Sequence, residues 1–239
     1  MLIPLRIGIR SDGTDVTIDI SHTPLTLVSY HNDAQRTALF KQLCKTEHPY
    51  ADFNYQMVTT REMEDWNFEP HPSRQFIRDE PELGFYKSRQ EMMKSILDEM
   101  TLRNRILKQQ KIELFSRYYA LNLWKEEKMS YRLLIVDDIW DLVQHKPVSA
   151  GLNLMKILLF GGQVGIHSII ASNISYRNLL QHLIDVHPEL TDDLKRKFGY
   201  PYPAQLSGLG QEIICTPDNL IFYKQAGKME MEKLYSIQS

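Results

Sequence analysis

Leu133-Leu134-Ile135-Val136-Asp137-Asp138 is the stretch on which the fold turns. Four aliphatic residues run straight into two adjacent carboxylates. An unbroken aliphatic run suits a strand buried on both faces, as inside a parallel sheet. Carboxylates at the C-terminal end of such a strand stand where open α/β sheets hold their ligands. This is the layout of a Walker B segment, in which the first acid helps to hold Mg²⁺ and the second polarises an attacking water. Asp137 and Asp138 are therefore the candidate catalytic pair, provided the chain also has a loop able to hold a triphosphate.

Outwards from this segment, strand and helix signals alternate. Towards the C-terminus come a helix containing Leu154, Ile157, Leu158 and Leu159, stopped at Gly161-Gly162, and a buried strand, His167 to Ser172. Short helical stretches follow at Leu179 to Val186 and Leu194 to Phe198. Glu212 to Cys215 and Leu220 to Tyr223 read as a β-pair across Thr216-Pro217-Asp218-Asn219. Towards the N-terminus, Val16 to Ile20 alternates like a half-buried strand after the turn Ser11 to Thr14. Pro24 to Val28 is a second strand, Ala34 to about Cys44 a helix, and Phe53 to Val58 a third strand. Arg61 to Gly84 is polar and holds Pro70, Pro72 and Pro81, so it reads as irregular. Tyr86 to about Tyr119 reads as one long helix, with Met93, Ile96, Leu97, Met100 and Leu107 at three- and four-residue spacing. Strands alternating with helices give an α/β fold with a mostly parallel sheet covered on both faces.

Bulk composition excludes several classes. The 239 residues suffice for one large α/β domain or two small ones, and no internal repeat divides them. A net charge of −2 provides no global field for nucleic acid. Cys44 and Cys215 stand apart, without the spacing of a zinc site or a disulfide scaffold. No apolar run approaches the roughly 20 residues needed to span a bilayer. Met1 to Arg6 lacks the organisation of a signal peptide. The chain is expected in the cytoplasm, alone or as the cytosolic part of a membrane-anchored protein. His167, ahead of a buried strand, reads as a packing residue. Trp140 reads as core or rim packing, and Trp66 and Trp124 stay open.

Several segments in fixed order resemble the FtsK/SpoIIIE-like branch of RecA-type P-loop ATPases. LLIVDDIWDL (133–142) is similar to that family's Walker B strand and following helix. GIHSIIASN (165–173) is similar to its next strand, which ends in glutamine where this chain has Asn173. Ile106 to Tyr118 resembles the helix before Walker B. Gly208-Leu209-Gly210 sits where the family has Gly-Arg-Gly, and PLTLVSYHNDAQRT (24–37) lies where the P-loop strand and loop belong. The resemblance covers nearly the whole chain. It implies one domain over 1–239 with a RecA-like P-loop NTPase core.

The departures carry as much information. A P-loop, GxxxxGK[ST], uses glycines so that backbone N–H groups can wrap the phosphates. The matching Tyr30-His31-Asn32-Asp33-Ala34-Gln35-Arg36-Thr37 has none, and Tyr30 and Gln35 fall on the two framework glycine positions. Asp33 would bring a carboxylate towards a polyanion, at roughly 3 kcal/mol per unit charge pair at about 5 Å and an effective dielectric near 20. Arg36 replaces the lysine with a flat fork. Arg36 and Thr37 form a degenerate nucleotide site, and Thr37 with Asp137 would be metal ligands only if Mg·ATP binds. Asp138 replaces the usual glutamate, and Leu209 the arginine. The alternative for Asp137 and Asp138 is a strand-end pair that caps the next helix or meets a basic side chain. For Arg36 and Thr37 it is a purely structural helix start.

Two functions follow from the resemblance. One is a catalytically degenerate domain, with no or very weak ATP hydrolysis of its own and no tightly bound cofactor. It is similar to the C-terminal ATPase-like domain of type VII secretion coupling proteins (the EssC/EccC family), which implies secreted protein substrates and neighbouring ATPase domains as partners, with no sequence-specific nucleic acid. The other is an active ATP-driven DNA translocase or conjugation motor of the FtsK class. A regulatory partner joining an active ring is a third, weaker option.

Overall fold

The aliphatic runs of the sequence become the inner strands of one sheet. A computed structural model describes residues 4–19, 23, 25–45, 54–59, 74–78, 85–123, 129, 131–137, 147–173, 210–218, 220–225 and 227–235. The strands are β1 (Pro4–Ile9), β2 (Asp15–Asp19), β3 (Leu25–Ser29), β4 (Asn54–Thr59), β5 (Arg74–Arg78), β6 (Arg132–Asp137), β7 (Ile166–Ser172), β8 (Gly210–Cys215), β9 (Leu220–Lys224) and β10 (Glu232–Tyr235). The helices are α1 (Asp33–Lys45), α2 (Phe85–Gln109), α3 (Phe115–Ala120) and α4 (Pro147–Phe160), the last followed by a 3₁₀ turn over Gly161–Val164.

All ten strands form a single sheet in the order β2-β1-β10-β9-β8-β3-β7-β6-β4-β5. From β8 to β5 every pairing is parallel. From β8 outwards through β9, β10, β1 and β2 every pairing is antiparallel. The chain thus has a parallel half carrying an antiparallel wing. Burial follows the division. All seven residues of β7 are buried, and Leu133 to Val136 are at most 2% exposed, as expected of strands covered on both faces. In the wing β2 alternates, with Val16 and Ile18 buried and Asp15 and Thr17 exposed.

Two expectations change. Arg74–Arg78 is strand β5, paired in parallel with β4, inside the stretch read as irregular. The long helix is two helices. α2 stops at Gln109, where Lys111 takes the left-handed conformation (φ 56°). Lys111 N–H donates to Lys108 O at 3.1 Å and Ile112 N–H to Leu107 O at 2.9 Å, the two bonds of a Schellman stop. α3 ends in the same way around Asn122 (φ 60°). The helical stretches read at 179–186 and 194–198, and all three tryptophans, lie outside the described residues.

The connection into β7 is fixed by an aromatic cluster. Phe115, fully buried, meets Tyr131 edge-on at 4.9 Å between ring centroids and stacks near Tyr118 at 5.8 Å. Gly165 (φ 78°) lies against Phe115, and a Cβ there would come within 2.2 Å of the ring. Arg103 of α2, 3% exposed, donates to Glu99 at 2.9 Å and to Val164 O at 3.0 Å, while Arg132 at the start of β6 also pairs with Glu99. One shared carboxylate joins α2 to β6, and Arg103 adds the turn before β7.

Candidate functional site

The site lies at the C-terminal edge of the parallel strands, where β3 opens into α1. Ser29 of β3 pairs with Ser172 of β7 and Ile214 of β8. β7 separates β3 from β6, so Asp137 at the end of β6 stands about 10 Å from the β3 line, two strand spacings away. Asp137, Asn173 and the 30–37 loop therefore share one edge, as the sequence order requires. Asn173 is exposed in the bend after β7. The side chain of Asp137 and the whole of Asp138 lie outside the description, as does Leu209. Gly210 opens β8 opposite Leu25, and a Cβ there would approach Leu25 O to 3.1 Å.

The loop between β3 and α1 is tied to itself. Tyr30 is buried, and its N–H donates to Ser172 O at 3.1 Å. Asn32 is the N-cap of α1, its Oδ1 accepting the N–H of Gln35 at 3.0 Å. Gln35 reaches back, with Oε1 accepting the N–H of His31 at 3.3 Å, and its Nε2 donates across to the carbonyl of Thr216 after β8. This is a variant of the capping box, in which the N-cap side chain accepts the amide of the third residue while that residue's side chain accepts the amide just before the N-cap. The spacing Asn32-x-x-Gln35 is its sequence signal, one that a comparison with glycine positions alone overlooks.

Arg36 is 2% exposed. Its guanidinium lies 5.3 Å from the Tyr30 ring centroid and 3.6 Å from Asp33 Oδ1. Thr37, half-buried, follows it on α1. The arginine is thus held by its own turn. His167 sits at the other end of β7. Its Nδ1 donates to Thr23 O at 3.0 Å, and its ring lies 5.6 Å from that of Tyr131. It is the buried packing residue expected, remote from the site edge.

Towards the other end of β3, a largely buried polar chain braces the wing against that strand. Tyr223 OH donates to Gln211 Oε1 at 2.9 Å, and Gln211 Nε2 to Thr26 Oγ1 at 2.9 Å. Burial raises the Tyr223 hydroxyl above its ordinary range, with Glu232 adding to the shift. Burial likewise pushes the Cys215 thiol up to about 11, so it stays protonated and inert at neutral pH.

Solved structures similar to this chain include ATPases of conjugation and secretion. The cytoplasmic domain of the Thermomonospora curvata type VII secretion ATPase EccC superposes with a TM-score of 0.68 at 17% identity, over 98% of this chain and 28% of that one. The pCW3 conjugation coupling protein TcpA, solved as a monomer with ATPγS, gives 0.66 at 10% identity, over 99% of this chain and 66% of that one. ATPases 2 and 3 of T. curvata EccC, in complex with a signal sequence peptide, give 0.61 at 12% identity, over 99% and 41%. This chain has the fold of an FtsK/SpoIIIE-type ATPase domain. In this chain β7 lies between β3 and β6 in the parallel half of the sheet. The chain spans less than two thirds of the length of each of these relatives. No protein-family model matches the sequence, and no curated protein does.

Proposed function

We propose that residues 1–239 form a single, catalytically degenerate FtsK/SpoIIIE-like domain of an EssC-type secretion system. It recognises secreted proteins and couples them to neighbouring ATPase domains in the cytoplasm. The observation that carries this reading is the closed loop. A phosphate cradle needs amides that are free to donate. Here the amides of His31 and Gln35 already donate to Gln35 Oε1 and Asn32 Oδ1. Arg36, in the lysine position, is engaged by Tyr30 and Asp33. These residues do not fit a tightly held Mg·ATP, and Thr37, Asp137, Asp138 and Asn173 are remnants of a site rather than a working one.

The comparisons support the setting. One similar structure holds a signal sequence peptide, and another contains ATPases 2 and 3 of Geobacillus thermodenitrificans EssC in one chain. Recognition of protein segments and contact with sibling domains are the corresponding roles here. The second reading, an ATP-driven DNA motor, draws on the Asp137 edge, which keeps its place two strands from the loop, and on a relative solved with ATPγS.

Steady-state hydrolysis separates the two. The degenerate domain gives phosphate release at the level of buffer, and Asp138→Ala leaves it unchanged. Clear turnover that Asp138→Ala abolishes identifies a motor.

A further inference from the structure

Residues 225–231 join β9 to β10 in the antiparallel wing. Lys228 N–H donates to Gln225 O at 3.1 Å, and Gly227 takes the left-handed conformation (φ 74°) inside that turn. The chain thus reverses before Lys228, and two methionines follow. Strand alternation sets their side. In β10 Leu234 is fully buried, whereas Lys233 and Tyr235 face solvent. Met231 is in phase with that outward pair and is 46% exposed. Met229, two residues earlier, is 95% exposed, more than any other large hydrophobic residue among the described ones.

Exposure matters for a thioether because its chemistry needs water. The sulfur is a nucleophile. One of its lone pairs attacks an oxygen of a hydroperoxide, and the S–O bond forms as the O–O bond breaks. The transferred hydroxyl gives its proton to the departing hydroxide, which leaves as water. The sulfur is oxidised by two electrons and the peroxide is reduced by two. Charge develops in this step, and charge is costly away from water. Sulfurs in the core are therefore protected. Met93 and Met100 on the buried stripe of α2 are 1% and 8% exposed, and Met129 is 7% exposed.

The consequence also differs between the two groups. A sulfoxide is polar, so it disrupts a core in which the thioether was packed. Met229 has almost no packing to lose, and Met231 points away from the side on which Leu234 is buried. Oxidation at the tip changes the surface and leaves the fold.

We propose that Met229, followed by Met231, is a reversible oxidation site for hydroperoxides, at which sulfoxide formation turns the tip between β9 and β10 from apolar to polar without unfolding the wing. Methionine sulfoxide reductases, one for each epimer, return it to the thioether with electrons from a thiol.

The test is a time course of the full chain in hydrogen peroxide, read by peptide mapping and mass spectrometry. Sulfoxide accumulates at Met229 roughly tenfold faster than at Met93, Met100 and Met129, with Met231 between them. Circular dichroism melts taken when Met229 is fully oxidised coincide with those of the untreated chain. Retention on a hydrophobic interaction column falls with oxidation, and the two reductases with dithiothreitol restore both mass and retention. Met229→Leu loses the fastest phase and keeps the parent rate at Met93. The proposal is overturned if Met93, Met100 or Met129 is oxidised as fast as Met229. It is overturned equally by a lowered melt once Met229 is oxidised, by unchanged retention, or by a sulfoxide that the reductases remove only from the denatured chain. None of these readouts involves nucleotide, so the site stands or fails separately from the closed loop.

Discussion

Asn32 and Gln35 lie four residues from the lysine-to-arginine exchange at most, yet they say more about nucleotide than Arg36 does. A positive charge near a phosphate is replaceable, whereas an amide already bonded to a side chain must lose that bond before it can donate to a ligand. Asn32 is also an ordinary N-cap, which gives a measurable consequence. Asn32→Ala removes the acceptor at the start of α1 and lowers stability by about 1 kcal/mol in urea denaturation. A variant as stable as the parent would show that this cap contributes nothing. The charge of Arg36 is lodged between Tyr30 and Asp33, so the acid that repels a polyanion also holds the residue that would attract it.

The helical elements show where pattern reading stopped. The apolar stripe from Met93 to Leu107 was legible and is buried as its spacing required, Leu97 only partly. The end of α2 was not legible, because its left-handed residue is Lys111, with neither glycine nor proline to mark it. A β-carbon at such a position costs roughly 1–2 kcal/mol, partly offset in glycine by its chain entropy. Lys111→Gly should therefore stabilise the fold by about 1 kcal/mol in equilibrium unfolding, and a loss of stability would contradict the assignment. β5 was hidden by the prolines around it and by arginine at both ends of Arg74–Arg78. β10 was hidden because a charge at Glu232 and Lys233 outweighs the single buried Leu234. The pairing of Glu99 with Arg132 left no sequence signal, whereas Glu99 and Arg103 stand at the i, i+4 spacing of a helical ion pair. Glu99 neutralises Arg103, and desolvation lowers the Arg103 pKa against the pull of that carboxylate. Glu99→Ala leaves the buried guanidinium without its counter-ion and should cost about 3–5 kcal/mol in denaturant. A loss below about 1 kcal/mol would mean that Arg103 is hydrated.

At the scale of the molecule, the parallel half was readable because β3, β6 and β7 are near-continuous apolar runs in a family order. The antiparallel wing was readable only where a turn announced it, between β8 and β9 and ahead of β2. The site was half legible. Its placement at the strand ends followed from Asp137 and the loop position, but the self-satisfied amides required coordinates. No helix among the described residues is long and apolar enough to cross a membrane.

Calorimetric titration of the full chain with Mg·ATP bears most directly on the closed loop. The expected result is no saturable heat below millimolar nucleotide, because the His31 and Gln35 amides are already bonded and Asp33 repels the polyanion. A saturating isotherm at micromolar nucleotide would contradict it.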